Sequence, residues 1–164
     1  MTDHNENPYV LLRRYGGDIL DSWGMQQEKR FIQHGTITCY QHSVLVACVS
    51  IRLAQRLGVQ VDMAGMIRGA LLHDYFLYDW HIPNDGHSLH GFTHARRALA
   101  NAERDFVLTD VERDVIVKHM FPMNPALPRC RESILVTLAD KLCASREVFW
   151  ALLPRGKWNR ASCR

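Results

Sequence analysis

Met63-Ala64-Gly65-Met66-Ile67-Arg68-Gly69-Ala70-Leu71-Leu72-His73-Asp74-Tyr75 is the stretch on which the fold turns. Met63, Met66, Ile67, Ala70 and Leu71 recur at i, i+3 and i+4, the spacing of one helical face. Asp74 is next in that series, so it points where the core residues point. A carboxylate taken out of water without a partner is very costly. Either an arginine or lysine meets it, or a metal ion does, with His73 beside it as a second ligand. A His-Asp pair alone decides nothing, and the choice rests on what else in the chain reaches it.

The chain has 164 residues, enough for one domain with a real core. Hydrophobic residues at 47% and charged residues at 23% are an ordinary globular balance. The net charge of +3 is too mild to argue for a nucleic-acid polymer, though it does not hinder binding of small anions. The five cysteines, Cys39, Cys48, Cys130, Cys143 and Cys163, are odd in number, form no C-x-x-C and sit mostly in apolar runs. They read as small core residues in a reducing compartment. Met1 to Tyr9 is polar and has no apolar signal region. No run approaches the ~18 apolar residues of a membrane span, so a cytoplasmic protein away from membranes is expected.

Taken in order, Tyr9 to Arg14 predicts a short helix ended by Gly16-Gly17. Asp18 to Gln33 predicts a helix closed by Gly35. Thr36 or Thr38 caps the next, whose apolar face holds Ile37, Val44, Cys48, Ile51 and Ala54, and which stops at Gly58. Asp62 caps the helix leading to His73-Asp74. Tyr75 to Leu89 reads as a long loop, a common place for function. Helices follow from His90 to Phe106, from a cap at Thr109 or Asp110 with Val111, Val115 and Ile116 on one side, and from Arg131 to Leu153. Pro122, Pro125 and Pro128 keep the segment before the last helix irregular. No stretch alternates with period two for long enough to predict a strand. The reading is all-α, with an extension over residues 1–16, a domain over 17–153 and a basic tail over 154–164.

Each interior helix then carries a polar residue on its apolar stripe. These are His42 before the run Val44 to Cys48, Asp74 with His73, His90 and His94 at i and i+4, His119 three beyond Ile116, and Asp140 four beyond Val136. A lone histidine on such a face is more often a hydrogen-bonded core residue, and Asp140 alone would more often lie half-exposed beside Lys141. Together, however, the inward polar residues are all metal-ligand types, and no inward lysine or arginine offsets the two carboxylates. A divalent cation does, and neutral imidazoles suit it.

The order of these residues resembles the HD-domain metal-dependent phosphohydrolases. The likeness rests on His42 in Tyr40-Gln41-His42-Ser43-Val44, on His73-Asp74 and on Asp140 in Leu138-Ala139-Asp140-Lys141, and it covers roughly residues 34–150. His90-Gly91-Phe92-Thr93-His94-Ala95 is similar to the segment that begins the third ligand helix in dinuclear members, and Ile116-Val117-Lys118-His119 to the fourth ligand position. The resemblance implies a helical bundle of about six or seven helices around a central metal site. It implies His42, His73, Asp74 and Asp140 around one metal, with Asp74 bridging to a second held by His90 and His119. Dinuclear members often carry another histidine after the one matched by His119, where this chain has Met120. His94, at a position where the family usually has a small residue, replaces it on the argument of i, i+4 spacing. His87 is the register alternative for His90. The resemblance favours iron or manganese, and the N and O ligand set also suits zinc, nickel or cobalt.

Two metals ~3.5–4 Å apart clamp the attacking and leaving oxygens of a phosphoryl displacement and activate a water. The function implied is hydrolysis of a small phosphate ester, a nucleotide or related metabolite. Lys141, Arg146 and Lys118 are candidates for phosphate contact, each equally readable as a solvated surface charge. Tyr75, Phe76, Tyr78 and Trp80 offer stacking surfaces or simple packing over a helix end. Asp79 or His81 would shuttle a proton. The signalling-nucleotide branch often has Gly-Lys just after His-Asp, and Tyr75-Phe76-Leu77 disfavours that substrate class. The competing readings are a non-catalytic nucleotide- or metal-binding module, and a diiron oxygenase, against which Met120 counts. A homodimer fits any of these.

Overall fold

The structure, a computed structural model, describes residues 5–80 and 90–152, with the side chains of 90–92 and 152 outside that description. Seven helices are present among the described residues: α1 (Pro8–Leu20), α2 (Trp23–Gln27), α3 (Cys39–Leu57), α4 (Met63–Leu72), α5 (His90–Asp105), α6 (Asp110–Lys118) and α7 (Arg131–Leu152). Strands β1 (Ile32–His34) and β2 (Ile37–Thr38) form one small antiparallel hairpin. The described residues are therefore all-α apart from that hairpin. None of the described helices is long and apolar enough to cross a membrane.

Local signals set most of the helix ends. Asn7 caps α1 ahead of a proline in its first turn. Thr38 and Gln41 form a capping box on α3, and Gly58 closes that helix at a left-handed φ of 63°. Asp62 caps α4 by accepting from the Gly65 N–H at 3.0 Å. Thr109 and Glu112 form a second capping box on α6. α4 is the centre of the bundle and packs on α1, α3, α5, α6 and α7. Met63, Met66, Ile67, Ala70, Leu71 and Leu72 are all buried, while Arg68 on the same helix is ion-paired with Glu112 and Asp18.

The N-terminal third departs from expectation. α1 does not stop at Gly16-Gly17 but runs to Leu20. Gly16 faces α4, where a Cβ would lie 2.4 Å from Leu71 Cδ1, so the missing side chain is a helix contact rather than a stop. Nor does a helix span Asp18 to Gln33. Ser22 breaks it, donating to the Ile19 carbonyl and accepting from the Met25 N–H that opens α2. The hairpin replaces the rest, with Ile32 opposite Thr38 and His34 opposite Ile37. Gly35 does not end a helix but makes the hairpin turn at φ 60°, a conformation that disfavours any Cβ. Ile37 consequently lies in β2 rather than on the face of α3, and is half-buried along with Val44. α5 ends one residue before the expected Phe106, and the last residue expected in α7, Leu153, lies outside the described residues.

Cys39, Cys48 and Cys143 are buried thiols and Cys130 is half-buried, while Cys163 lies outside the described residues. Tyr75 and Phe76 are buried, with the Tyr75 hydroxyl donating to Asp105 Oδ2 at 3.0 Å, so these two rings pack the core and are not free to stack on a ligand.

Candidate metal centre

Five helix segments converge on one buried cluster. His42 comes from the first turn of α3, His73 and Asp74 follow the end of α4, His94 lies in α5, His119 caps the end of α6, and Asp140 is in the middle of α7. All six are buried. His42 Nε2 lies 3.1 Å from Asp140 Oδ1 and 3.9 Å from Asp74 Oδ2. His73 Nε2 is 3.4 Å from Asp74 Oδ2 and 3.8 Å from Asp140 Oδ1. On the other side of the same carboxylate, Asp74 Oδ1 is 3.4 Å from His94 Nε2 and 3.5 Å from His119 Nε2. The two Nε2 atoms of His94 and His119 are 3.0 Å apart.

The imidazoles are anchored from behind. His73 Nδ1–H donates to the Ala70 carbonyl at 2.8 Å, and His119 Nδ1–H donates to the Ile116 carbonyl at 2.8 Å. A carbonyl only accepts, so each Nδ1 carries a proton and each Nε2 is turned toward the interior of the cluster. His42 Nδ1–H donates to the buried Glu147 carboxylate, 2.9 Å from Oε2. Asp74 is anchored too, since Oδ2 accepts from Gln33 Nε2–H at 2.6 Å while Gln33 Oε1 accepts from the Cys39 thiol at 3.3 Å.

The donor set fits a cation on three grounds. Two groups of closely spaced ligand atoms occur among the described residues, His42–His73–Asp140 and His73–Asp74–His119. Ligands about 2.1 Å from a shared ion at tetrahedral or octahedral angles lie roughly 3.0–3.4 Å apart, close to most of the spacings here. Finally, His73 Nε2 and Asp74 Oδ1 are buried without a hydrogen-bond partner, both facing the interior of the cluster.

Electrostatics agree. Burial alone would push the Asp74 and Asp140 carboxyls up, but the surrounding imidazoles hold Asp74 well below the usual range, and His42 and His73 do the same for Asp140. Burial would lower His42 as well, yet its hydrogen bonds to Asp140 and Glu147 lift it to about 9. His73 is raised likewise against burial, chiefly by Asp74. Without a cation, then, imidazolium protons balance the carboxylates.

The remaining sequence candidates are more scattered. Lys141 Nζ donates to the His119 carbonyl at 3.1 Å and lies 3.9 Å from Asp140 Oδ2, with a side chain 40% exposed, so it sits at the edge of the cluster. Lys118 instead turns to the Leu127 carbonyl at 3.2 Å, and Arg146 is exposed. Asp79 is half-buried in the segment after Asp74. The His90 side chain, His81 and His87 lie outside the described residues.

Sequence reasoning missed Gln33, Glu147 and Glu28. Glu147 had a signal, being seven residues, two turns, beyond Asp140 on the same face. Gln33 had none, because it depends on a hairpin too short to show alternation. Glu28 is buried at the end of α2, where desolvation lifts its carboxyl to about 8 while Oε1 accepts from the Leu77 N–H. Leu77 itself adopts a left-handed φ of 61°.

With fold and cluster in view, the comparison with known families is decisive: residues 39–145 match the HD domain, and the chain belongs to that family. No curated protein matches the chain significantly, and no solved structure does either. HD-domain proteins are commonly metal-dependent phosphohydrolases, and the His and Asp groups here are suited to a divalent metal.

Proposed function

We propose that this protein is a metal-dependent phosphohydrolase acting on a small phosphate ester of the nucleotide or related-metabolite class. The observation that carries the reading is the Asp74 carboxylate, whose two oxygens face two separate donor groups while Oδ1 and the neighbouring His73 Nε2 have no hydrogen-bond partner. His42, His73, Asp74 and Asp140 would hold one ion. Asp74, His94 and His119 would hold a second, with His90 as a further proposed ligand. When bound, such ions lower the pKa of a coordinated water toward ~7 and polarise a phosphoryl oxygen.

The protein's own residues set that chemistry up. Backbone carbonyls of Ala70 and Ile116 hold the Nδ1–H of His73 and His119, so both Nε2 atoms point inward, where their lone pairs would meet a metal once any proton there is released. Glu147 does the same for His42. Gln33 keeps the Asp74 plane oriented between the two groups. Lys141, tethered to the His119 carbonyl and partly exposed, is placed to meet a phosphate oxygen at the cluster's edge. Asp79, in the segment that leaves Asp74, is the proposed carrier of a proton to the leaving group.

The test loads the full chain with Mn²⁺ or Fe²⁺, measures metal content by mass spectrometry, and follows phosphate release from mono-, di-, tri- and cyclic nucleotides and sugar phosphates. Metal-dependent release, lost in Asp74→Asn, is expected. A metal-loaded protein inert across the whole panel would overturn hydrolysis while leaving the metal assignment intact.

A further inference from the structure

α7 is apolar on both sides. Its inner face buries Leu135, Val136, Ala139 and Cys143 alongside Asp140 and Glu147. Its outer face carries Ile134, Leu138, Leu142, Val148 and Phe149, with Arg131, Lys141 and Ser145 among them. At 100° per residue these eight positions fall within an arc about 120° wide. Ile134, Leu138, Leu142, Val148 and Phe149 are 45–61% exposed. A helix with apolar residues on both faces is normally enclosed, and here one full stripe faces solvent.

We infer that the outer face of α7 is a twofold interface with a second copy of this chain. The first argument is area. The exposed parts of the five apolar residues amount to about 500 Å² per copy, in the upper part of the ~300–600 Å² for the largest patch on an ordinary monomer. Two such patches bury about 1,000 Å², and Ser145 with the stems of Arg131 and Lys141 brings the total to the ~1,200 Å² at which stable interfaces begin.

The second argument is self-complementarity. An antiparallel pairing with its axis between Lys141 and Leu142 sets Ile134 opposite Phe149 of the partner subunit, and Leu138 opposite Ser145 of the partner subunit. Large side chains thus meet either a large neighbour or the space over a small one, and every contact is repeated by symmetry, as a closed twofold interface demands. A serine hydroxyl in mid-helix can bond the carbonyl one turn back in its own helix, so Ser145 needs no partner across the seam. The third argument is charge. The same pairing brings Arg131, whose guanidinium donates to its own Gln60 carbonyl at 3.3 Å, near the last turn of the partner's α7, where the helix dipole favours a cation. Lys141 keeps its ammonium on its own His119 carbonyl, away from the seam, and lends its stem to cover Leu142. The interface would brace the helix that carries Asp140 and Glu147, but it stands independently of what the cluster catalyses.

The experiment is sedimentation or light scattering on the full chain, wild type against Leu138→Glu and Leu142→Lys, with helicity followed by circular dichroism. A wild-type dimer is expected at about 50 µM, with each variant folded and dissociating at least ~30-fold more readily, since each buries a charge in both copies. A wild-type protein that is monomeric at that concentration overturns the inference. So does a dimer that both folded variants leave intact, because its interface must then lie elsewhere.

Discussion

Glu147→Gln is the most informative single change, because its effect on metal affinity should grow with pH. Glu147 is buried, and its carboxylate accepts the His42 Nδ1–H at 2.9 Å. Glutamine keeps the volume and an accepting oxygen but removes the charge. At high pH, where His42 is already neutral, only ligand basicity and orientation matter, and losing a carboxylate behind an imidazole costs about 10–100-fold in affinity. That is about 1.4–2.7 kcal/mol. At pH 7 a second effect enters. With a pKa of about 9, the wild-type ring must give up a proton before it can bind metal, which weakens apparent affinity by about 100-fold. The variant, with one of the two hydrogen bonds that raise His42 now uncharged, suffers less of that competition. The two effects nearly cancel at pH 7 and separate above pH 9. The assay is a chelator-competition titration with Zn²⁺ or Mn²⁺ from pH 6.5 to 9.5. The wild-type affinity should climb steeply through that range, and the variant should climb less and end well below it. Parallel curves at all pH values, or equal affinity at pH 9.5, would refute the idea that Glu147 acts through His42.

Three further outcomes are expected. The metal-free protein should lose stability as pH rises: His42 is raised from 6.5 to about 9 in the fold, so its contribution is complete below 6.5 and gone above 9, about 3 kcal/mol at most, and Glu28, raised from 4.5 to about 8, acts in the same direction over its own window. Urea unfolding at pH 6 and 9 checks this, and a flat profile would contradict it. Asp74→Ala should lose bound metal and stability together, because it removes the carboxylate whose one oxygen faces His42 and His73 and whose other faces His94 and His119; unchanged metal content refutes the proposed bridging role. Gly69→Ala should lower the melting temperature despite alanine's better helix propensity. Its Cβ would lie 2.7 Å from the Cβ of Val115, a branched residue of α6 with little room to yield, and overpacking of this kind costs about 1–3 kcal/mol, or roughly 2–12 °C at this size.

What could be read in advance follows from how far each signal travels along the chain. His42, Asp74, His119 and Asp140 were legible because helical periodicity turns a position in sequence into a direction in space, and a polar side chain on a counted apolar stripe stands out. His94 was reachable by the same count. Gln33 was not, since its hairpin pairs only a few residues and is held by contacts far away in sequence, such as Gly35 against Ala151 and the Gln33 amide against Asp74. Gly16 misled for a related reason: a glycine reads as a stop when judged locally, and only the approach of α4 makes it a contact. Glu147 and the outer stripe of α7 show a different failing. Both were present in the helical count, but a search for inward ligands does not ask what stands behind a ligand or what points outward.

The electrostatics of the cluster explain why these residues tolerate burial in the same molecule with or without a cation. Asp74 and Asp140 stay ionised because His42 and His73 hold protons beside them, so the metal-free fold is already neutralised from within. A divalent ion would exchange for those protons rather than for empty space, and two carboxylates facing two raised imidazoles match its charge closely. This exchange makes metal affinity depend on pH, and makes stability without metal fall where affinity for metal rises. The two trends are opposite faces of one proton balance, so measuring both on the same protein tests the proposed site without knowledge of its substrate.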